Sequence, residues 1–292
     1  MAKPINKTSA WRVMWKEVRG DKLALLGLVL FIAILLTVYI WAGFFIDIDA
    51  VGRVNLFERN SEPRPGHRLG FDSQGRDVIP QLIMGARNSL NISFGVTIPG
   101  AIIGIFVGLI AGFYGKHVDN AIMRLMALWG MVPGMMLIIL LRTIFTPGVF
   151  GFALMMTVVG AWMGMAGMVR IMALRQGALD YVAASKTLGT PNIIIIFREV
   201  LPNLVSIITS QFTISLAANM GLETGLTFLG FGLPPGTPSL GRLVAYAQSP
   251  TVLQNRWWQW LPAALLIVVM MLCINFVGQA LNRAADAKKR RV

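Results

Sequence analysis

Residues 90–114 read LNISFGVTIPGAIIGIFVGLIAGFY, with no charge from end to end and a glycine at every fourth place from Gly100 through Gly104 and Gly108 to Gly112. A helix needs roughly 20 apolar residues to cross a bilayer core of about 30 Å, so the run predicts a membrane span. Residues four apart share one helix face. Four glycines there make a stripe that lets a second helix approach closely in lipid, where no hydrophobic effect drives helices together. Packing within the subunit and sliding between open states both fit such a stripe. Gly160 and Gly164 repeat the spacing further along.

Outward from this run, four more uncharged stretches are long enough to span: Leu23–Ile46, Gly148–Val169, Leu204–Leu222 and Leu261–Leu281. Leu125–Leu141, between Arg124 and Arg142, is shorter and makes a sixth. The fold class expected is an all-α integral membrane protein with six transmembrane helices. Composition agrees: 55% hydrophobic, 13% charged and a mean hydropathy of +0.66, where soluble domains are about a quarter charged. Pro99, Pro133, Pro202 and Pro262, within or at the ends of spans, permit bent helices where neighbours satisfy the freed carbonyls. The first run is too long and too late for a cleaved signal peptide. The single cysteine, Cys273, falls in the last span, so no intrachain disulfide can form.

Charge sets the orientation. An even span count puts both ends on one side, and that side carries 17 of the 26 Lys and Arg, for a net charge of +11 against +2 opposite. Lys and Arg gather on the cytoplasmic side of membrane proteins, which makes both termini cytoplasmic. The domain reading is then a cytoplasmic segment 1–22, a first helix 23–46, an extracytoplasmic segment 47–88, a five-helix core 89–282 and a basic tail 283–292. Lys288-Lys289-Arg290-Arg291 reads as an anchor near anionic lipid heads, so the net charge of +13 calls for no nucleic-acid partner. Within 47–88 the polarity is mixed and the length too small for a core of its own. Asp77 is placed to cap a short surface helix over 77–90, with Pro80 tolerable in its first turn.

The polar loop 178–203 lies on the cytoplasmic side in this topology. From Ala178 to Leu188 it is helix-prone, with Tyr181, Ala184, Ser185 and Leu188 at helical spacing. Gly189 ends that helix, and Pro191 opens a second short one through Phe197. Two short helices at an angle, one bearing small side chains, form a knob suited to a groove on a partner.

Glu223 ends an uncharged run, where an acid is expensive and often functional. An interfacial, solvated or Arg-paired position and a role in an outer gate or substrate path are both open. Arg142 is its expected partner by depth. Trp257, Trp258 and Trp260 read as an aromatic belt. Catalytic patterns are absent. No phosphate loop of the GxxxxGK[ST] form and no GxSxG elbow occurs, so the chain should not bind ATP itself and is not an enzyme. His67 and His117 are the only histidines and fall in opposite aqueous phases, so no metal cluster is expected.

Three motifs in order resemble one family. Ala183-Ala184-Ser185, Gly189 and Leu201-Pro202 follow the spacing of the ATPase-gripping loop of bacterial ABC importer membrane subunits. That loop reads Glu-Ala-Ala, three residues, Gly, nine residues, Ile, one residue, Leu-Pro. The chain departs from it at Ala183, which replaces Glu, and at Glu199, which replaces Ile. Gly75-Arg76-Asp77-Val78, followed by Gly85-Ala86-Arg87, resembles the run before the second helix of C-type permeases of peptide and nickel importers. Glu223–Gly241 is similar to that family's run Glu-x-x-Leu-x-Phe-Leu-Gly-x-Gly through Pro-Ser-Trp-Gly, with Leu240 for Trp. The likeness spans about Trp11 to Leu281.

The resemblance implies a type I ABC importer permease fold and one half of a transmembrane pore in the bacterial cell membrane. It implies a homologous permease subunit completing a heterodimer, two cytoplasmic ATPases carrying ATP and Mg, an extracellular binding protein, and peptide as cargo, oligopeptides first. Tyr181, Ala183, Ala184, Ser185, Lys186, Leu188, Gly189, Leu201 and Pro202 would form the coupling loop. Dipeptides, nickel or another small solute are the alternatives within the family. A channel or secondary transporter acting without ATPases is the alternative outside it, and would place paired ionisable groups at the midplane.

Overall fold

The computed structural model describes residues 19–44 and 51–289. The segment before residue 19, the predicted end of the first span at Ile46, and Arg290 and Arg291 of the basic tail lie outside the described residues. Everything regular in the described residues is helical, apart from two isolated bridges, Arg64–His67 and Phe71–Asp77. Four helices are long and apolar enough to cross a membrane, and six spans result if each of two bent helix pairs counts as one.

Helix α1 (Lys22–Phe44) starts where the Asp21 carboxylate accepts from the amides of Leu23 and Ala24, satisfying otherwise orphan donors. It lies at the edge of the bundle against the last helix, with Leu26, Val29 and Leu36 more than half exposed. Such a face is expected where lipid is the solvent.

Helix α2 (Val78–Tyr114) is the central mast. Asp77 caps it through Ile79, as predicted, and Pro80 sits in the first turn. The separate surface helix expected over 77–90 does not exist. The chain runs unbroken for 37 residues, through Pro99 and about 55 Å at 1.5 Å per residue. Gly85, Ala86, Ser89 and Leu90 are buried under the chain that follows the fifth span, so this first part of α2 is core.

The third span is two helices, α3 (Lys116–Gly130) and α4 (Gly134–Ile144), inclined at 64° across a break before Pro133. The predicted Leu125–Leu141 run straddles that break. The fourth is α5 (Val149–Met156), a π-helical turn over Thr157–Ala161, and α6 (Met163–Gly177), bent by 45°. Gly160 stands at φ +150°, a conformation that L side chains resist, and this sets the bend. Gly160 therefore serves the kink and does not continue a packing stripe. Gly164 meets only the amide end of Gln211.

Helix α7 (Asp180–Thr187) and helix α8 (Asn192–Ile195) follow. Through a π-helical turn at Ile196–Val200, α8 joins α9 (Leu201–Phe228). The second helix of the loop does not stop at Phe197, because nothing breaks it. Pro202 has no amide to donate and enters at the first turn of α9, just after the wider π turn. Short helices α10 (Leu240–Ala245) and α11 (Pro250–Asn255) lead into α12 (Leu261–Lys289).

The glycine stripe of α2 faces α6. A Cβ on Gly104, Gly108 or Gly112 would stand 2.5–2.6 Å from the carbonyl oxygens of Trp162, Ala166 and Arg170 respectively, whereas one on Gly100 would have 3.4 Å. Backbone meets backbone there, the close approach for which such stripes serve in lipid. One core joins α1, α2, α9, α10 and α12. A second joins α2, α6 and the loop helices, and a third joins α2, α4, α5 and α9.

Candidate functional site

The two ends of α9 carry the candidate sites. At the near end, Leu179 holds extended backbone and α7 follows. Gly189 adopts φ +78° and donates to the Lys186 carbonyl, while Thr190 donates to the Ser185 carbonyl. That pair of bonds is a Schellman C-cap, for which glycine is the natural residue. Pro191 stands one residue before α8, as its N-cap.

Val182 is fully buried with Ile195, Ile196 and Val200, and so fixes α7 on the base of α9. Ser185 Oγ donates to both Glu199 oxygens, at 2.7 and 2.9 Å, closing a clasp between the two arms of the knob. Asn203 Nδ2 donates to the Glu199 carbonyl at 2.8 Å, and the Tyr181 hydroxyl to Gln176 Oε1 at 2.7 Å. Lys186 Nζ sits 4.7 Å from the centre of the Phe113 ring, a cation–π distance that returns its charge to α2. Ala183, Ala184 and Pro202 are exposed, Leu201 is half-buried and Leu188 is 85% exposed, beside the exposed Leu179, Ile193, Ile194 and Phe197. The outer surface of the knob thus carries small and apolar side chains beside the exposed Asp180, Lys186 and Arg198, while Ser185 and Glu199 turn on each other within it. Glu199 was noted in the sequence only as a departure from the family loop, and its contact with Ser185 was not foreseen. Fourteen residues and a turn separate it from Ser185, and no periodicity joins them.

At the far end, Glu223 and Arg142 do not pair. Glu223 is fully buried and its carboxylate accepts from Thr227 Oγ1 at 3.0 Å and Ser239 Oγ at 3.1 Å. Arg142 Nε donates to the Gly232 carbonyl and a terminal nitrogen to that of Phe145. Depth matched the two residues, but the intervening chain 229–239 provides each with nearer partners. The solvated position considered for Glu223 is likewise excluded by its burial. Trp258 is also buried, its Nε1 donating to the Phe71 carbonyl at 3.4 Å, and is no belt residue. Trp257 is half exposed.

A buried charge network that the sequence did not disclose lies beside them. Asp72 Oδ2 takes Arg76 Nε, Gln81 Nε2 and the Tyr246 hydroxyl, each at 2.9 Å. Its Oδ1 takes the amides of Gln74 and Arg76. Burial works to raise the Asp72 pKa, but the Arg76 amide and guanidinium overcome it and hold the carboxyl below its usual range. Burial, helped by Asp72, pushes the Tyr246 hydroxyl up to about 12. The network ties the 51–77 segment to the chain after α9 across 174 residues. No group of three His, Cys, Asp or Glu side chains able to hold a metal occurs among the described residues.

The fold is that of a multi-pass helical membrane protein, and comparison with known proteins places it more narrowly. Residues 104–291 match the family described as binding-protein-dependent transport system inner membrane component, and the chain belongs to that family. It is 38% identical to the oligopeptide transport system permease protein OppC of Lactococcus lactis subsp. cremoris, over 97% of each chain. It is 35% identical to the oligopeptide permease protein AmiD of Streptococcus pneumoniae, over 97% of this chain and 91% of that one. The dipeptide permease protein DppC of Bacillus subtilis is also 35% identical, over 95% and 85%.

Proposed function

We propose that this chain is one membrane subunit of an ATP-driven importer of peptides, oligopeptides above all. The observation that carries the reading is the near end-to-end similarity to relatives named as oligopeptide permeases. The knob supports the rest. Its exposed small and apolar surface at one end of a long rigid helix is what an ATPase needs to grip and push. A second homologous permease would complete the pore, two ATPases would hold the knobs, and an extracellular binding protein would deliver cargo at the opposite end. The excess of Lys and Arg supports cytoplasmic termini and a cytoplasmic knob in the bacterial cell membrane.

The path of force follows from the packing. Val182 and the Ser185–Glu199 clasp attach α7 to α9, and the second core attaches both to α2 and α6. A displacement of α7 therefore reaches α9 without a hinge and can tilt it. The bends at Met131–Pro133 and Gly160 are the places where the third and fourth spans can absorb such a tilt. ATP and Mg belong to the partner ATPases in this scheme.

The test is uptake of a labelled oligopeptide into vesicles carrying the chain with its permease, ATPase and binding-protein partners. Uptake should require ATP and every partner. Uptake by this chain alone in liposomes would instead mark a channel or secondary transporter.

A further inference from the structure

The end of the bundle opposite the knob holds an open cleft of about 310 Å³, lined by Arg76, Arg242, Tyr246, Gln248 and the turn Thr227–Gly230 at the end of α9. Two guanidiniums face it on different terms. Arg76 is neutralised by Asp72. Arg242, half-buried on α10, has no carboxylate partner among the described residues. It spends one of its five N–H donors on the Leu233 carbonyl at 2.9 Å. Burial is the main influence lowering the Arg242 pKa; Tyr246 opposes this, while Arg76 and Arg142 add repulsion. A cation held among cations in a half-desolvated cleft favours an incoming anion.

We infer that this cleft receives the C-terminal carboxylate of a peptide entering the pore, with Arg242 as its binding residue. The inference rests on the peptide-import reading. A carboxylate suits it because it is the anion every unmodified peptide carries whatever its sequence, and a guanidinium fork matches it with two parallel hydrogen bonds. The position suits it too, since Thr227 lines the cleft and its hydroxyl also donates to the buried Glu223. The cleft thereby shares Thr227 with the buried Glu223 cluster that ties α9 to Ser239 at the start of α10.

The test uses the whole importer in proteoliposomes and one peptide in two forms, with a free C-terminal carboxylate and as the C-terminal amide. Initial uptake is compared for wild type, Arg242→Gln and Arg242→Lys, loaded from the same binding protein, so that any preference of that protein cancels between variants. The expected result is a fall of about tenfold in the acid-to-amide uptake ratio for Arg242→Gln, the scale of one charge-assisted hydrogen bond, with much of the ratio recovered in Arg242→Lys. An unchanged ratio overturns the inference. That includes an equal loss on both peptides, which would mark Arg242 as structural or as a contact of the binding protein. Failure of the wild type to import either form would sink the transport reading itself and the inference with it.

Discussion

The knob and the far end of α9 solve opposite problems with the same kind of helix. At the knob Ser185 and Glu199 turn on each other and Lys186 lies over Phe113, while Ala183, Ala184 and Leu188 stand outside. At the far end polar groups are locked in place by buried, directional bonds, Asp72 against Arg76 and Tyr246, Glu223 against the Thr227 and Ser239 hydroxyls. Under the proposed function the contrast fits the work of each end. A surface that must engage and release a partner repeatedly gains from shape and small side chains. A surface that must hold its own loops while cargo passes gains from fixed, directional bonds.

The largest effect should come from breaking the charged end. Asp72→Asn leaves Arg76 buried without its counter-charge, and losing one partner of a buried pair costs about 3–5 kcal/mol. The drop is to be read as unfolding of the detergent-solubilised subunit in denaturant. Because the folded Asp72 pKa is depressed, its contribution is complete above the unfolded value near 3.9 and fades as pH falls through the folded one. Wild type should therefore lose this stability only below about pH 4, and Asp72→Asn should lack that acid-induced step. A variant as stable as wild type would show the network to be incidental.

Next comes the mast that joins the two ends. Gly108→Leu puts a bulky chain where a single carbon would already lie 2.6 Å from the Ala166 carbonyl. Overpacking of this kind costs about 3 kcal/mol, and assembly with the partner permease should fall sharply. Gly100→Ala, with 3.4 Å available, should be tolerated. Equal behaviour of the two would mean that α2 and α6 do not rely on close approach.

A smaller change sharpens the knob. Glu199→Ile removes the clasp on a partly exposed residue, which should cost about 1 kcal/mol. Amide hydrogen exchange should quicken over residues 183–188 and stay unchanged along α2. Slower or unaltered exchange in α7 would show that Val182 alone holds it.

Much of this plan was legible in the chain. Uncharged runs and the four-residue glycine period gave the spans and the packing face, since both depend on local spacing. Asp77 as a cap and Gly189 as a helix end were legible for the same reason. What stayed hidden was set by distant partners. Nothing near Asp72 announces Tyr246, and nothing near Ser185 announces Glu199. The Glu223–Arg142 pairing failed because depth along a helix says nothing of which loop will lie between two side chains. The boundary at Phe197 failed because nothing breaks the helix there, and the one at 90 because polar residues such as Gln81 and Ser89 were read as surface. They are buried, so α2 is longer than its apolar run.

The central claim, that the knob docks by shape and apolar contact, is tested most directly by the affinity of the purified ATPase for the assembled membrane subunits across a salt series. Charges screen over about 10 Å at 0.1 M salt, so wild-type affinity should change by less than about threefold between 0.1 and 0.5 M. Ala183→Glu, carrying the acid of the family loop, should bind comparably, while Leu188→Asp should lose binding at every salt concentration. A steep fall of wild-type binding with salt, with Leu188→Asp still bound, would contradict the account and assign the dock to exposed charges such as Arg198.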